Sequence, residues 1–296
     1  MAVIHYQHCP VCGGSGINPV LSARDFTVSG LSFSIWECTD CRLRFTQDVP
    51  DQESIGPYYQ SDAYISHSDT KKGLVNSVYH QVRNFTLKQK RKLITRITGR
   101  SHGRILDIGA GTGAFLDQMS QAGWKVTGLE PDAGARMIAA EKYRLQLLEP
   151  SGFHQLETGS YDAITLWHVL EHVHDLHAYV ERIRTLLAPG GVLVLALPNY
   201  SSEDARIYAE NWAAYDVPRH LYHFCPSAVK QLLLMHGLKI QSIRPMWFDS
   251  FYISLLSEQY RHGRPGYFKA FLNGLRSNNK AISNKEKGSS LIYIAR

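Results

Sequence analysis

The chain has 296 residues, a hydrophobic fraction of 44% and a formal net charge of +6. That length sets a prior of about two domains, and the apolar content belongs to a globular protein with a core, which excludes a disordered or collagen-like chain. The excess charge is small for a nucleic-acid-binding tail. The opening MAVIHYQHCPVCGG has no signal-peptide apolar region, and no apolar run approaches the ~20 residues of a membrane span, so a cytoplasmic chain with no membrane partner is expected.

Residues 1–48 read as a small metal-bound unit. Cys9-x-x-Cys12 and Cys38-x-x-Cys41 are two thiol knuckles, and CPVCGG supplies turn residues where a knuckle needs them. In a chain without an export signal, four such thiols point to Zn2+ rather than to disulfides. Closed coordination by four thiolates leaves no open position, so the metal's expected role is structural. Strand-like FSIWECTDCRLRFT fits a zinc ribbon. Cys225 stands apart and reads as a small buried side chain.

Residues 49–102 read as a connector and helical lid. Tyr64 and His67 are candidates for a flap over the cofactor. The segment RNFTLKQKRKLITRITGR reads as an amphipathic helix with a basic face. From residue 103 strands and helices alternate: RILDIG, AFLDQMSQAG, KVTGLEP, AGARMIAAEKY, a short strand near 145–148, YDAITLW, LHAYVERIRTLL and VLVLALPN. This rhythm predicts an α/β, Rossmann-like, mainly parallel sheet of seven strands with helices on both faces, spanning 103–296 with a C-terminal helical insertion. LKIQSIRPMW and SSLIYIAR are the last two strands.

The run DIGAGTG places Asp107, Gly109, Ala110, Gly111 and Gly113 between a strand and a helix. Glu130 follows at the offset of a ribose-binding acid, with Pro131 beside it. The glycine pattern alone fits either a dinucleotide or S-adenosylmethionine (SAM). The ordered set of this loop, LEP, LWHVLEHV and LAPGGVLVLALPN resembles class I SAM-dependent methyltransferases over roughly residues 103–245. The resemblance implies that Gly109 and Gly111 let the backbone approach SAM. It also implies that Glu130 accepts the ribose hydroxyls, and that Trp167 and His168 lie under the methionine and sulfonium part. Asp107 orders the loop and meets a cationic or amino group. No Asp stands where an adenine-binding residue is expected.

No N/D-P-P-Y/F signature follows the fourth strand, which argues against methylation of a base or amide nitrogen and for a small-molecule acceptor. Glu171 and His172 open the next helix. The stretch YDVPRHLYHFCPSAV carries His220 and His223 with Asp216, Arg219 and Tyr222. A neutral imidazole suits proton removal near pH 7, so both histidines are catalytic candidates. The stretch is similar to the EHLSYF segment of sugar-nucleotide C-methyltransferases, which also carry a four-cysteine zinc unit; His220 falls on their general base. Arg219 stands where they have Glu, and the chain has no room for their second C-terminal domain. Arg219 is therefore a candidate for holding a phosphate or carboxylate of the acceptor. The expected function is methyl transfer to an anionic metabolite or sugar or glycan precursor. The alternatives are an RNA methyltransferase that grips RNA with the zinc unit and basic helix, and a non-catalytic SAM-binding scaffold.

Overall fold

The computed structural model describes residues 2–60 and 74–296 and, in the helix that begins at Leu74, side chains from residue 81 onward. Tyr64 and His67 lie outside the described residues. The backbone groups into two compact units. One comprises Met1–Ser68, Leu170–Tyr179 and Ala196–Tyr293; the other comprises Asp69–Val169, Val180–Leu195 and Ile294–Arg296. This grouping differs from divisions at residues 48 and 102.

In the second unit, α1 (Leu74–Thr98) leads to β6 (Arg104–Ile108), α2 (Ala114–Gln121), β7 (Lys125–Leu129), α3 (Ala133–Tyr143) and β8 (Tyr161–Trp167). β6 lies between β7 and β8 and runs parallel to both, with Ile105 opposite Val126 on one side and Ala163 on the other. Parallel strands covered on both faces read as near-continuous apolar runs. Ile105, Leu106 and Ile108 are buried, as are Ala163, Ile164 and Leu166. α3 starts where the Asp132 carboxylate accepts the Ala135 N–H, which satisfies one of the free donors of the first turn.

α4 (Leu176–Leu186) and β9 (Leu187–Pro198) follow, and β9 is buried from Val192 to its end. The larger sheet has the order β11-β12-β9-β8-β6-β7, where β11 is Ile240–Pro245 and β12 is Ser290–Ala295. Among the described residues it has six strands rather than the seven expected. Residues 145–148 form only an isolated parallel bridge, Leu148 to Leu129. Pro150 follows at once and opens a turn of 3-10 helix, since proline cannot continue a ladder.

In the first unit, β1 (Val3–Ile4) pairs with β5 (Val49–Pro50). β2 (Ile17–Arg24), β3 (Ser32–Cys38) and β4 (Arg44–Thr46) form an antiparallel ribbon. The ribbon does not end there. β10 (Tyr222–His223), from the histidine-rich stretch, pairs with β4 through Tyr222–Phe45 and His223–Arg44. That pairing is why the cysteine ribbon clusters with the C-terminal half of the chain. The unit also holds α5 (Glu203–Tyr208), α6 (Pro226–Met235), α7 (Asp249–His262) and α8 (Tyr267–Ser283). Buried Asp204 ties three of its segments together by accepting from Trp212 Nε1, Ser277 Oγ and Ser289 Oγ at 2.8, 2.6 and 2.6 Å.

Candidate cofactor loop and histidine cluster

The glycine loop hangs from the end of β6. Gly109 and Ala110 both donate to the Leu129 carbonyl, at 2.8 and 2.9 Å. Gly109 has φ +72°, and a Cβ there would meet Val169 Cγ2 at 2.4 Å, so glycine is required by backbone and space alike. Gly111 also has a left-handed backbone, φ +54°, but a Cβ there would meet nothing within 4 Å. That open space is where a ligand can approach the main chain. Glu130 is buried and clasps the loop: Oε2 accepts from Gly111 N–H at 2.7 Å and Oε1 from Asp132 N–H at 2.9 Å. Each oxygen of an ionised carboxylate has two acceptor sites, so one on each is left for a vicinal diol. Burial pushes the Glu130 carboxyl up. Pro131 holds the strand end through its carbonyl, which accepts from Arg136 at 2.7 Å.

Asp107 is buried beneath the loop, and Thr165 Oγ1 donates to it. Burial pushes its carboxyl up to about 7. At the end of β8, Trp167 meets Phe115 edge-on at 5.7 Å, and Lys90 Nζ lies 4.0 Å from the centre of its ring. The indole Nε1 is buried and has no hydrogen-bond partner among the described residues. An unused buried donor costs free energy until something accepts from it, which fits a ligand oxygen. His168 next to it has φ +59°, a strained backbone for a residue with a Cβ and a feature that clusters at ligand sites.

The second cluster lies wholly in the first unit. Glu171, His172 and His220 each offer a ligand atom within 4.8 Å of the others. The His220 Nδ1 lies 2.9 Å from the Ala214 carbonyl and the His172 Nδ1 lies 3.0 Å from the Arg219 carbonyl. A carbonyl only accepts, so both Nδ1 atoms carry a proton, which sets the tautomer of the neutral imidazole with its lone pair on Nε2. The His220 Nε2 is 3.9 Å from Asp216 Oδ2, and the two imidazoles meet edge to face at 4.6 Å. Burial, with His220 beside it, pushes His172 down to about 4, so it is neutral at physiological pH. One carboxylate and two imidazoles are also ligand types that suit a divalent cation.

His223 points elsewhere. It is 3% exposed in β10, with Nε2 3.2 Å from Thr46 Oγ1 and its ring edge-on to Tyr215 at 5.0 Å. The Thr46 hydroxyl donates to the His220 carbonyl at 2.8 Å, so His223 Nε2 is the donor in that pair. Arg219 is not the expected anion holder. Its guanidinium is 1% exposed and is consumed by Asp216, by Asp25 at 3.2 Å and by the Tyr58 carbonyl at 2.9 Å. Past the end of β9 lies a cleft lined mainly by cations, of which Arg44 is paired with Glu37 at 2.7 Å and Arg206 with Glu203 at 2.8 Å. It encloses about 490 Å³ and is lined by Arg44, Tyr200, Arg206, Lys280 and Lys287, with Glu203 as the one acid. Arg44 stacks on the Tyr200 ring at 4.2 Å.

The four knuckle cysteines come together. Cys9 and Cys41 Sγ are 3.5 Å apart, as are Cys12 and Cys38, and all four lie within 4.8 Å of one another. A tetrahedral ion with metal–sulfur bonds of about 2.3 Å needs sulfurs about 3.8 Å apart, so the thiols can close on one ion. Cys225 is buried against the Arg42 carbonyl and Ser227.

The profile of the family described as Methyltransferase domain matches residues 80–243, more than half of the chain. The chain belongs to that family. The methyltransferase domain is 29% identical over 161 residues to the ubiquinone biosynthesis O-methyltransferase of Xanthomonas axonopodis pv. citri (strain 306), an alignment covering 49% of this chain and 66% of that protein. It is 33% identical, with the same coverage, to the protein of the same name from Xanthomonas oryzae pv. oryzae (strain PXO99A). The chain thus spans just under two thirds of the length of these curated relatives. The magnesium protoporphyrin IX methyltransferase of Synechocystis PCC 6803, solved with bound SAH, matches with a TM-score of 0.55 at 14% identity, covering 83% of this chain and 99% of that one. At that identity the likeness concerns the fold.

Asp107, Gly109, Ala110, Gly111, Gly113, Glu130, Pro131, Trp167 and His168 all fall in the second unit. The cation-lined cleft was missed, because its cations come from β4, α5, α8 and the turn before β12, which no local motif links. Lys90 over Trp167 was missed too; a single lysine on a basic helix carries no signal of its target.

Proposed function

We propose that the chain is a SAM-dependent O-methyltransferase acting on a small anionic molecule, and that Zn2+ held by Cys9, Cys12, Cys38 and Cys41 braces its N-terminal ribbon. The observation that carries the reading is the open, positive-φ Gly111 beside the buried Glu130, with the unused Trp167 Nε1 at the end of β8. These features fit SAM: ribose hydroxyls on Glu130, main chain against Gly111, and a carboxylate oxygen on Trp167 Nε1. Asp107, ionised, meets the amino group of its methionine part.

SAM supplies an electrophilic methyl group on its sulfonium. The remaining chemistry belongs to the protein. A hydroxyl acceptor must lose its proton as the oxygen–carbon bond forms, and we assign that proton to the Nε2 lone pair of His220. Its Nδ1–H, fixed on the Ala214 carbonyl, sets the tautomer. Asp216 and Glu171 stabilise the imidazolium that results. His223 is assigned a structural role in β10. The cations of the cleft past β9 hold the acceptor's carboxylate or phosphate in place of Arg219. The likeness to two proteins named as ubiquinone biosynthesis O-methyltransferases supports transfer to oxygen on a small molecule. A cytoplasmic location accompanies this reading.

The test is His220→Ala in the zinc-loaded protein. Turnover should fall at least about a hundredfold while binding of S-adenosylhomocysteine stays unchanged. Full turnover in a variant that binds the product normally would remove His220 from the chemistry.

A further inference from the structure

The α7–α8 hairpin has its side chains arranged against the usual order for a helix in water. α8 buries its small residues, Ala270, Gly274, Ser277 and Ala281. α7 meets it at Ser250, whose Oγ donates to Asn278 Oδ1 at 3.0 Å, and at Phe251. The approach is close: a Cβ on Gly274 would stand 2.6 Å from Phe251 Cδ1 and 3.1 Å from its Cα. The large apolar side chains of α8 point outward instead. Phe268 is 75% exposed, Phe271 54%, Leu272 46% and Ile282 71%. Phe268, Phe271, Leu272 and Leu275 recur at the spacing of one helix face. In water such a stripe belongs inside and the small residues outside. Small residues between helices with bulky apolar residues outward is the arrangement used against lipid.

Charge specifies the partner. From Gly263 to Lys287 the chain carries Arg264, Lys269 and Lys285 with one acid, Glu286; of the other cations there, Arg276 pairs with Glu203 at 2.9 Å, and Lys280 and Lys287 line the cleft past β9. α8 itself has no acid. A helix with an aromatic and aliphatic stripe beside cations lies in the headgroup layer of an anionic bilayer. No helix among the described residues is long and apolar enough to cross a membrane, and a surface-lying helix needs no such length. A second copy fits less well: a two-fold contact through this stripe would bring the same cationic rows together. Ser277, hydrogen-bonded to Asp204, anchors α8 to its unit, so the stripe is presented on a fixed support.

We infer that α8 docks this enzyme on an anionic lipid surface, its Phe268–Ile282 stripe entering the acyl boundary and Lys269 and its neighbours meeting the headgroups. The expected absence of a membrane partner rested on the lack of a spanning run, which does not bear on a helix lying in the surface.

The test is co-sedimentation of the full, zinc-loaded chain with phosphatidylcholine vesicles made with and without phosphatidylglycerol. The account expects binding to the anionic vesicles, weakening as salt rises. The paired change Phe268→Ser with Ile282→Ser should weaken it at least about tenfold, and Lys269→Ala about fivefold. Both sites are exposed, so circular dichroism and S-adenosylhomocysteine binding should not change in either variant. Failure to bind anionic vesicles would overturn the inference, as would binding that the paired variant retains. A concentration-dependent dimer that the paired variant abolishes, without vesicle binding, would assign the stripe to self-association instead. Neither failure touches methyl transfer, which these variants retain.

Discussion

The affinity for the cofactor should depend on pH through one buried carboxyl. Burial pushes Asp107 up to about 7. The ligand's ammonium selects the ionised form, so binding must expel the proton from Asp107. The sign follows: affinity rises with pH until Asp107 is already ionised in the free protein. At about pH 6 only about one molecule in ten carries the carboxylate, so Kd should be about tenfold weaker than on the plateau above about pH 8. Below that the slope should approach one decade per pH unit. Calorimetry with S-adenosylhomocysteine, which keeps the amino group, measures this without turnover. Asp107→Asn should flatten the profile and weaken plateau binding by about ten- to a hundredfold, the worth of one charge-assisted hydrogen bond. A wild-type affinity flat across the range would refute the reasoning. So would an unchanged slope in the Asn variant, which would move the titration to Glu130.

Three further outcomes are expected. Gly111→Ala places a methyl group in open space at φ +54°; it should cost about 1 kcal/mol of stability yet weaken product binding at least about tenfold, whereas Gly109→Ala, 2.4 Å from Val169 Cγ2, should cost about 3 kcal/mol by thermal melting. Stripping Zn2+ with a chelator, or Cys38→Ser, should cost at least about 3 kcal/mol and lower the melting midpoint by about 6–12 °C; an unshifted midpoint would deny the metal its bracing role. Burial opposes the Asp25 charge, but hydrogen bonds from Ser29 and Thr27 and the adjacent Arg219 hold its carboxyl down to about 2 against an ordinary 3.8. Its contribution is therefore present above pH 3.8 and lost as pH falls through about 2, and Asp25→Asn should cost about 3 kcal/mol in denaturant titration at neutral pH, with the gap narrowing on acidification.

The cofactor half was legible because it is local. A strand end, a glycine turn and an acid at the next strand end are set by chain spacing, and Asp107, Gly111 and Glu130 stand together for that reason. Leu145–Leu148 misled because its apolar content is strand-like while Pro150 forbids extension. Arg219 misled because its local partner, Asp216 three residues before it, was not read as a pair, and its second partner, Asp25, lies far away in the turn between β2 and β3. His220 and His223 look alike in sequence, three residues apart. One turns its free nitrogen toward Glu171 and His172, and the other is sealed against Thr46 because it sits in the β10 pairing. The inverted faces of α8 need a solvent-exposure map, since periodicity alone is the same whichever face is buried.

The most direct measurement is S-adenosylhomocysteine release by the zinc-loaded protein. Small phenols and alcohols bearing carboxylate or phosphate would form one pool, and total RNA the other. The account predicts turnover with the anionic hydroxyl compounds, a product heavier by one methyl group on oxygen, and loss of that turnover in His220→Ala. Turnover with RNA alone, or cofactor binding with no turnover on either pool, would contradict it.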